Sequence, residues 1–380
     1  MTALLTGSGS ALPPPMPQQA LWDGFFKDHY AGARVAQRVW QTSGITTRRG
    51  VADPTSEDVS GWGTAARMQR FLTEALPLGK EAIAGALDTA GLAASDVGLL
   101  TVVSCTGYVT PGLDILLARD LGMSPDVQRL HVGHMGCYAA LPGLGATADF
   151  VTARGKPAVM VCLELPSLHV QPATDTARSG RPTSEDLQQM VAHALFSDAA
   201  AAVVLEPGPG GAGGGSGPDG PGLEVVDVLA RTDVATADHM TWDVTDLGFK
   251  MGLSPAVPDV LARHARPVVE ELLGRHGLVV GDVDGWAIHP GGRRIVEVVG
   301  DALELSAELL APSYDVLRDV GNCSSATVLL VLQQVQVRPG GLVVMMAFGP
   351  GLTLYAALLR DRRSASEERS QAPTAVSVKG

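Results

Sequence analysis

Four short segments are apolar at nearly every position: VGLLTVVSC (residues 97–105), AVMVCLE (158–164), AAVVLE (201–206) and LVVMMAFG (342–349). Strands that are apolar on both faces belong in a sheet covered by helices on both sides. Longer segments with helical patterning lie between them, among them RMQRFLTEALPLGKEAIAGALDTAG, DVLARHARPVVEELLGRHG and SSATVLLVLQQVQ. The pattern predicts an α/β fold.

The ends break this pattern. Residues 1–20 are rich in Gly, Ser and Pro and read as a disordered arm, and residues 361–380 read the same way. PGPGGAGGGSGPDGPG (207–222) reads as a flexible loop. It has neither the GK[ST] nor the GxGxxG spacing of a phosphate cradle. It divides the chain into halves at 21–206 and 223–360. Both flanks show strand pairs, a buried small-residue helix and another strand, which suggests a duplicated layout.

Composition narrows the function classes. The chain has 380 residues, 46% of them hydrophobic, which is ample for a large core. A formal net charge of −12 argues against general nucleic-acid binding, so a phosphate-bearing ligand needs a local basic cluster. Four cysteines without regular spacing make neither a disulfide framework nor a zinc site. The N-terminus lacks the charged and apolar regions of a signal peptide, and no apolar run is long enough for a membrane helix. A cytoplasmic protein without membrane insertion is expected.

Three motifs carry candidate chemistry. In GHMGCYAALPG, Gly136 fits a tight strand-to-helix turn presenting Cys137, and a helix N-terminus lowers a thiol's pKa. Most free cysteines, however, are inert and buried. In GWAIHPGGRRIVEVV, His289 ends an apolar strand before a Pro-Gly-Gly turn. A lone loop histidine is more often structural, and so is His134, despite lying three residues from Cys137. In DVGNCSSATVLL, Asn322 precedes a helix start. Asparagine there is most often a cap, yet its carboxamide N–H is also suited to a developing oxyanion.

Each motif alone favours its structural reading; the ordered set Cys137, His289, Asn322 does not. With the closing AFGPGLT (347–353), these stretches resemble the type III polyketide synthases, the chalcone synthase-like branch of the thiolase superfamily. The resemblance spans about residues 20–360. It implies a thiolase fold of five layers, αβαβα, in two similar halves, working as a homodimer. It also implies a tunnel for the pantetheine arm of coenzyme A, with Cys137 as nucleophile, His289 as its activating partner and Asn322 as an oxyanion donor. Coenzyme A enters only as part of the acyl-CoA and malonyl-CoA substrates, with no other cofactor and no metal.

By the same resemblance, Phe196 of ALFSDAAAAVVL and Phe249 of DLGFKMGLSP gate the tunnel. Cys105, Thr106, Thr110, Glu164, His169 and Ser324 line the substrate cavity. Arg34, Arg38, Arg48 and Arg49 of RVAQRVWQTSGITTRRG are candidates for the coenzyme A entrance. Several cavity residues are small, which suits a long aliphatic chain, and the texture is most like bacterial alkylpyrone and alkylresorcinol synthases. Two rival readings stand beside this one: a priming β-ketoacyl-ACP synthase making a single condensation, and a non-catalytic thiolase-fold partner. The latter would be expected to have lost part of the Cys-His-Asn set.

Overall fold

Strand β6 (Ala158–Glu164) is buried at all its residues, because each face meets a different core. Met160 and Cys162 point into one apolar cluster, while Val159, Val161 and Leu163 point into another. This two-residue alternation repeats through the molecule, which is known from a computed structural model describing residues 2–208 and 222–362. In β7 (Ala199–Pro207), Ala199, Ala201, Val203 and Leu205 share the central cluster, while Ala200, Ala202 and Val204 face outward. In β12 (Leu342–Gly349), Val343, Met345 and Ala347 face the same central cluster, and Val344, Met346 and Phe348 face a third.

The central cluster is therefore bounded by two sheet surfaces. Two helices fill it, Ala140–Arg154 and Ala326–Leu332. Gly143 of the first allows close contact: a Cβ there would lie 3.0 Å from Met160 Sδ and Val103 Cγ2. Helix Thr64–Ala90 covers the outer face of the N-terminal half, and helices Val257–Gly274 and Arg293–Leu303 cover that of the C-terminal half. The result is five layers, αβαβα.

The other strands of this sheet are β1 (Ala3–Ala11), β4 (Leu99–Val103), β5 (Gln128–Val132), β8 (Leu223–Thr232), β11 (Gly285–Ile288) and β13 (Thr353–Asp361), while β2 (Pro15–Pro17) and β3 (Thr47–Arg49) pair apart from it. Its strand order is β11-β12-β13-β8-β1-β7-β6-β4-β5. The halves join where β1 meets β8, through the pairs Leu4↔Glu224 and Leu5↔Leu223. A separate two-stranded ribbon, β9 (Met240–Thr245) with β10 (Gly248–Leu253), lies beside the site.

The N-terminal arm departs from expectation. Residues 3–11 form β1, paired antiparallel with β7 from Ala3↔Pro207 to Ala11↔Ala200. Its glycines reflect close packing rather than disorder: a Cβ on Gly7 would lie 2.2 Å from Ala86 O, and one on Gly9 2.4 Å from Ala82 O. The expected loop 207–222 lies outside the described residues except at Pro207, Gly208 and Gly222. The expected C-terminal tail also lies outside them, apart from Asp361, which closes β13, and Arg362.

Candidate active site

Cys137 sits in a single 3-10 turn, Gly136–Tyr138, leading into helix Ala140–Arg154. Gly136 has φ +71°, and a Cβ there would meet Pro350 at 2.8 Å, so the turn demands glycine. The thiol is buried, and its pKa is pushed up to about 12. Burial is the main cause, with the Glu164 carboxylate adding to it, against a lowering hydrogen bond from Ser324. The expectation of a lowered thiol pKa does not hold, because desolvation outweighs the helix start.

His289 follows β11 and is fully buried. Its backbone N–H donates to Met346 O (2.8 Å), while neither ring nitrogen has a hydrogen-bond partner. Burial alone lowers its pKa to about 3. Its ring packs edge-on to Phe348, with centroids 5.6 Å apart. The next residue, Gly349, runs so close to the thiol's turn that a Cβ would lie 3.4 Å from Cys137 N. The end of β12 thus brings the histidine turn and the cysteine turn to one place.

Asn322 closes the group from the third side. Its Oδ1 accepts the Ser324 N–H (2.9 Å), and its Nδ2 reaches Gly291 O in the histidine turn (3.3 Å). Ser324 adopts φ +49°, unusual for a residue with a Cβ. Its hydroxyl lies between two thiols, bonded to Cys137 and 3.8 Å from Cys105 Sγ.

The cavity against Cys137 has a volume of about 20 Å³, and its walls include Cys105, Thr106, Phe196 and Ser324. Glu164 lies behind it, accepting from Cys105 N (3.0 Å), Thr106 Oγ1 (2.8 Å) and Ser325 Oγ (2.7 Å). It ties the loop after β4 to the turn holding Asn322. Burial raises its pKa, against four lowering hydrogen bonds. His169 is fixed as one tautomer: Nε2–H donates to Thr106 O (2.7 Å) and Nδ1 accepts from Phe249 N (3.0 Å). Burial lowers its pKa to about 4.

Other expected residues fall elsewhere. Thr110 is exposed in a separate pocket on the loop that ends at Pro111. Phe249 stacks on His169, with centroids 4.6 Å apart, and lines a second compartment rather than the cavity at the thiol. Arg48 is no entrance residue. It is buried over the faces of Phe26 and Trp40, with Nη1 donating to the carbonyls of His193 and Phe196. Arg49 lines the second compartment, and Arg34 and Arg38 are exposed on helix Arg34–Thr42.

A groove of about 390 Å³ runs from the surface to Phe348 and Gly291, with Val39 and Thr42 from that helix on one wall. Arg293 and Arg294 line it directly after the His-Pro-Gly-Gly turn. The sequence reading passed over both, although their position beside His289 marks them. It also missed Met240, Trp242 and Met251, which wall the cavity at Cys137.

The five layers define a thiolase-fold protein. The sequence models of the chalcone and stilbene synthases match it over residues 3–209 (N-terminal domain) and 226–362 (C-terminal domain). It is 38% identical over 339 residues to a 1,3,6,8-tetrahydroxynaphthalene synthase of Streptomyces peucetius, covering 87% of this chain and 84% of the relative. It is 35% identical over 333 residues to the alpha-pyrone synthesis polyketide synthase-like Pks18 of Mycobacterium tuberculosis, covering 84% and 81%. The crystal structure of PKS-I from the brown alga Ectocarpus siliculosus superposes with a TM-score of 0.83 at 30% identity, covering 94% of this chain and 98% of that one. The chain belongs to the chalcone and stilbene synthase family, the type III polyketide synthases. Enzymes of this family are acyltransferases that need no cofactor beyond their coenzyme A thioester substrates.

Proposed function

We propose that this enzyme loads an acyl group from acyl-CoA onto Cys137 and extends it by repeated decarboxylative condensation with malonyl-CoA or methylmalonyl-CoA. The starter is a long-chain fatty acyl group and the product an alkylpyrone or alkylresorcinol. The enzyme acts as a cytoplasmic homodimer. The observation that carries the catalytic assignment is His289, fully buried with both ring nitrogens unpartnered, on a turn that Asn322 Nδ2 reaches at Gly291 O and that the end of β12 brings beside the turn of Cys137.

Burial keeps the thiol and the imidazole neutral when each is considered alone. Proton transfer from Cys137 to His289 creates an ion pair, and mutual attraction offsets the desolvation of both charges. The thiolate attacks the acyl-CoA carbonyl, coenzyme A leaves as its thiol with the proton, and the acyl group remains as a thioester. Malonyl-CoA then loses CO₂ to give an enolate. Its oxygen takes hydrogen bonds from His289 and the free Asn322 N–H, one such donor contributing about 3 kcal/mol. The enolate carbon attacks the Cys137 thioester carbonyl and the Cys137 thiolate leaves, so the chain, two backbone carbons longer, is carried on coenzyme A until it is transferred back to Cys137 for the next round. Phe196 guides the chain past the thiol, and Arg293 and Arg294 hold the coenzyme A phosphates at the groove.

The small residues Cys105, Thr106 and Ser324 support the fatty starter, and likeness to a relative named for alpha-pyrone synthesis supports the pyrone product. A second reading is favoured by the 20 Å³ cavity, which has room for little more than a water molecule between Met240, Trp242 and Met251. It takes a short starter and makes an aromatic product, of the kind for which the Streptomyces peucetius relative is named.

The test is purified enzyme with acyl-CoAs of graded length and labelled malonyl-CoA, without carrier protein. Alkylated pyrones or resorcinols are expected from long starters, and none from Cys137→Ala. Products from short starters alone would replace the first reading with the second. A requirement for a carrier protein, with one condensation only, would overturn both in favour of a priming synthase.

A further inference from the structure

Two spaces lie back to back, the first of them against Cys137. One is the 20 Å³ cavity at the thiol; the other, of about 40 Å³, is walled largely by apolar residues including Leu21, Phe26, Ala52 and Ala192. Pro166, Phe196, Trp242 and Met251 line both spaces and so form the partition. Trp242 is the largest of the four. It projects from the two-stranded ribbon, opposite Met251 in the register, rather than from the main sheet.

The parts of this wall are held differently. Phe196 is fixed through its backbone: its carbonyl accepts from Arg48, and it bridges to Asn322. Phe249, behind the wall, is pinned through its N–H to His169 and by stacking on that ring. The Trp242 indole is held by one hydrogen bond, Nε1–H to Cys105 O (2.8 Å), and by looser ring contacts. Its centroid distances are 5.5 Å to His169, 5.9 Å to Phe249 and 6.4 Å to Phe196. Replacing this side chain joins the two spaces while leaving Cys137, His289, Asn322 and their hydrogen bonds in place.

We propose that Trp242 sets the length of the starter acyl group. Its indole is the largest part of the partition between the cavity at Cys137 and the apolar compartment, and a chain too long for the first space enters the second past it. This inference rests on the reading of the enzyme as an acyl-CoA-loading synthase and adds the residue that governs its substrate range. The compartment takes an alkyl tail because its wall is largely apolar, and of the two arginines on it Arg48 turns Nη1 to the carbonyls of His193 and Phe196 and Arg49 turns Nη1 to that of Pro13.

The test compares kcat/KM for dodecanoyl-CoA and butanoyl-CoA, each with malonyl-CoA, in the full-length enzyme and in Trp242→Ala, Trp242→Phe and Trp242→Ala/Ala192→Phe. Trp242→Ala is expected to raise the dodecanoyl-to-butanoyl ratio by about tenfold or more, and Trp242→Phe to raise it less, by about threefold. Filling the compartment with Ala192→Phe is expected to remove most of the gain. A ratio within about twofold of wild type in Trp242→Ala, or in Trp242→Phe if the alanine variant does not fold, overturns the proposal. So does a gain that survives Ala192→Phe, since the tail would then lie elsewhere. Absence of any condensation product from wild type would defeat the underlying synthase reading instead. Wild-type product with an unmoved ratio defeats only the role of Trp242.

Discussion

At Cys137 and His289 two opposite pKa shifts have one cause. Burial holds the thiol near 12 and the imidazole near 3, so each is neutral at physiological pH until a proton passes between them. This makes the roles of His289 and Asn322 separable. His289→Gln removes the proton acceptor, so formation of the Cys137 thioester from acyl-CoA should fall by about 10²–10⁴-fold, read by mass spectrometry of the intact protein after acid quench. Asn322→Ala keeps the acceptor and removes a donor to the enolate. Thioester formation should survive while condensation falls by about 10²–10³-fold. Equal loss of both steps in Asn322→Ala would mean that the residue acts through structure, since its Oδ1 also holds Ser324 at a positive φ. A thermal-unfolding comparison would show that effect directly, as loss of the two hydrogen bonds of its side chain, to Ser324 N–H and Gly291 O, costs about 1–3 kcal/mol.

Among the elements, β1 shows how one composition admits two explanations. Gly and Ser in its second half carry the signature of an unstructured arm, and the glycines among them allow a strand to lie directly on helix Thr64–Ala90. Gly9→Val should therefore destabilise the fold by at least about 1–3 kcal/mol, seen as a lower urea midpoint, because its Cβ collides with backbone at Ala82 and Ala86. An unchanged midpoint would mean that β1 is not anchored there. Elements whose signal is local were legible: β6, up to Glu164 at its end, and β12 are apolar because both faces are covered, and the turns at Cys137, His289 and Asn322 carry their own glycines. The cavity walls were not. Met240, Trp242 and Met251 lie on a ribbon whose sequence mixes polar and apolar residues, and only tertiary folding brings it against Cys105 and Phe196. Arg48 misled for a related reason, since a cation in a basic run reads as exposed until its carbonyl partners and aromatic faces are in view.

Across the whole molecule, five layers leave histidines sealed inside. His169, His193 and His289 are all buried, with pKa values lowered to about 4, well below normal and about 3, each chiefly by desolvation. The unfolded chain takes protons at these sites below its ordinary histidine pKa of about 6.5, whereas the folded chain does so only at much lower pH. Between those values the unfolded state binds more protons. Their stabilising contribution is therefore complete above about pH 6.5 and is lost as pH falls, by about 1.4 kcal/mol per pH unit for each histidine. Asp198 opposes them: burial raises its carboxyl to about 6, so below that pH the folded state takes up a proton the unfolded state does not. The net charge of −12 also relaxes on acidification, easing self-repulsion. Three histidines against these terms still predict a lower urea midpoint at pH 5.5 than at pH 7.5, in the enzyme without substrate. His193→Gln should flatten that dependence by about one proton, although loss of the bonds to Tyr30 and the Gln171 N–H lowers stability at both pH values. A midpoint that holds or rises between pH 7.5 and 5.5 would show that these imidazoles are protonated inside the fold, and the neutral resting state assigned to His289 would fall with them.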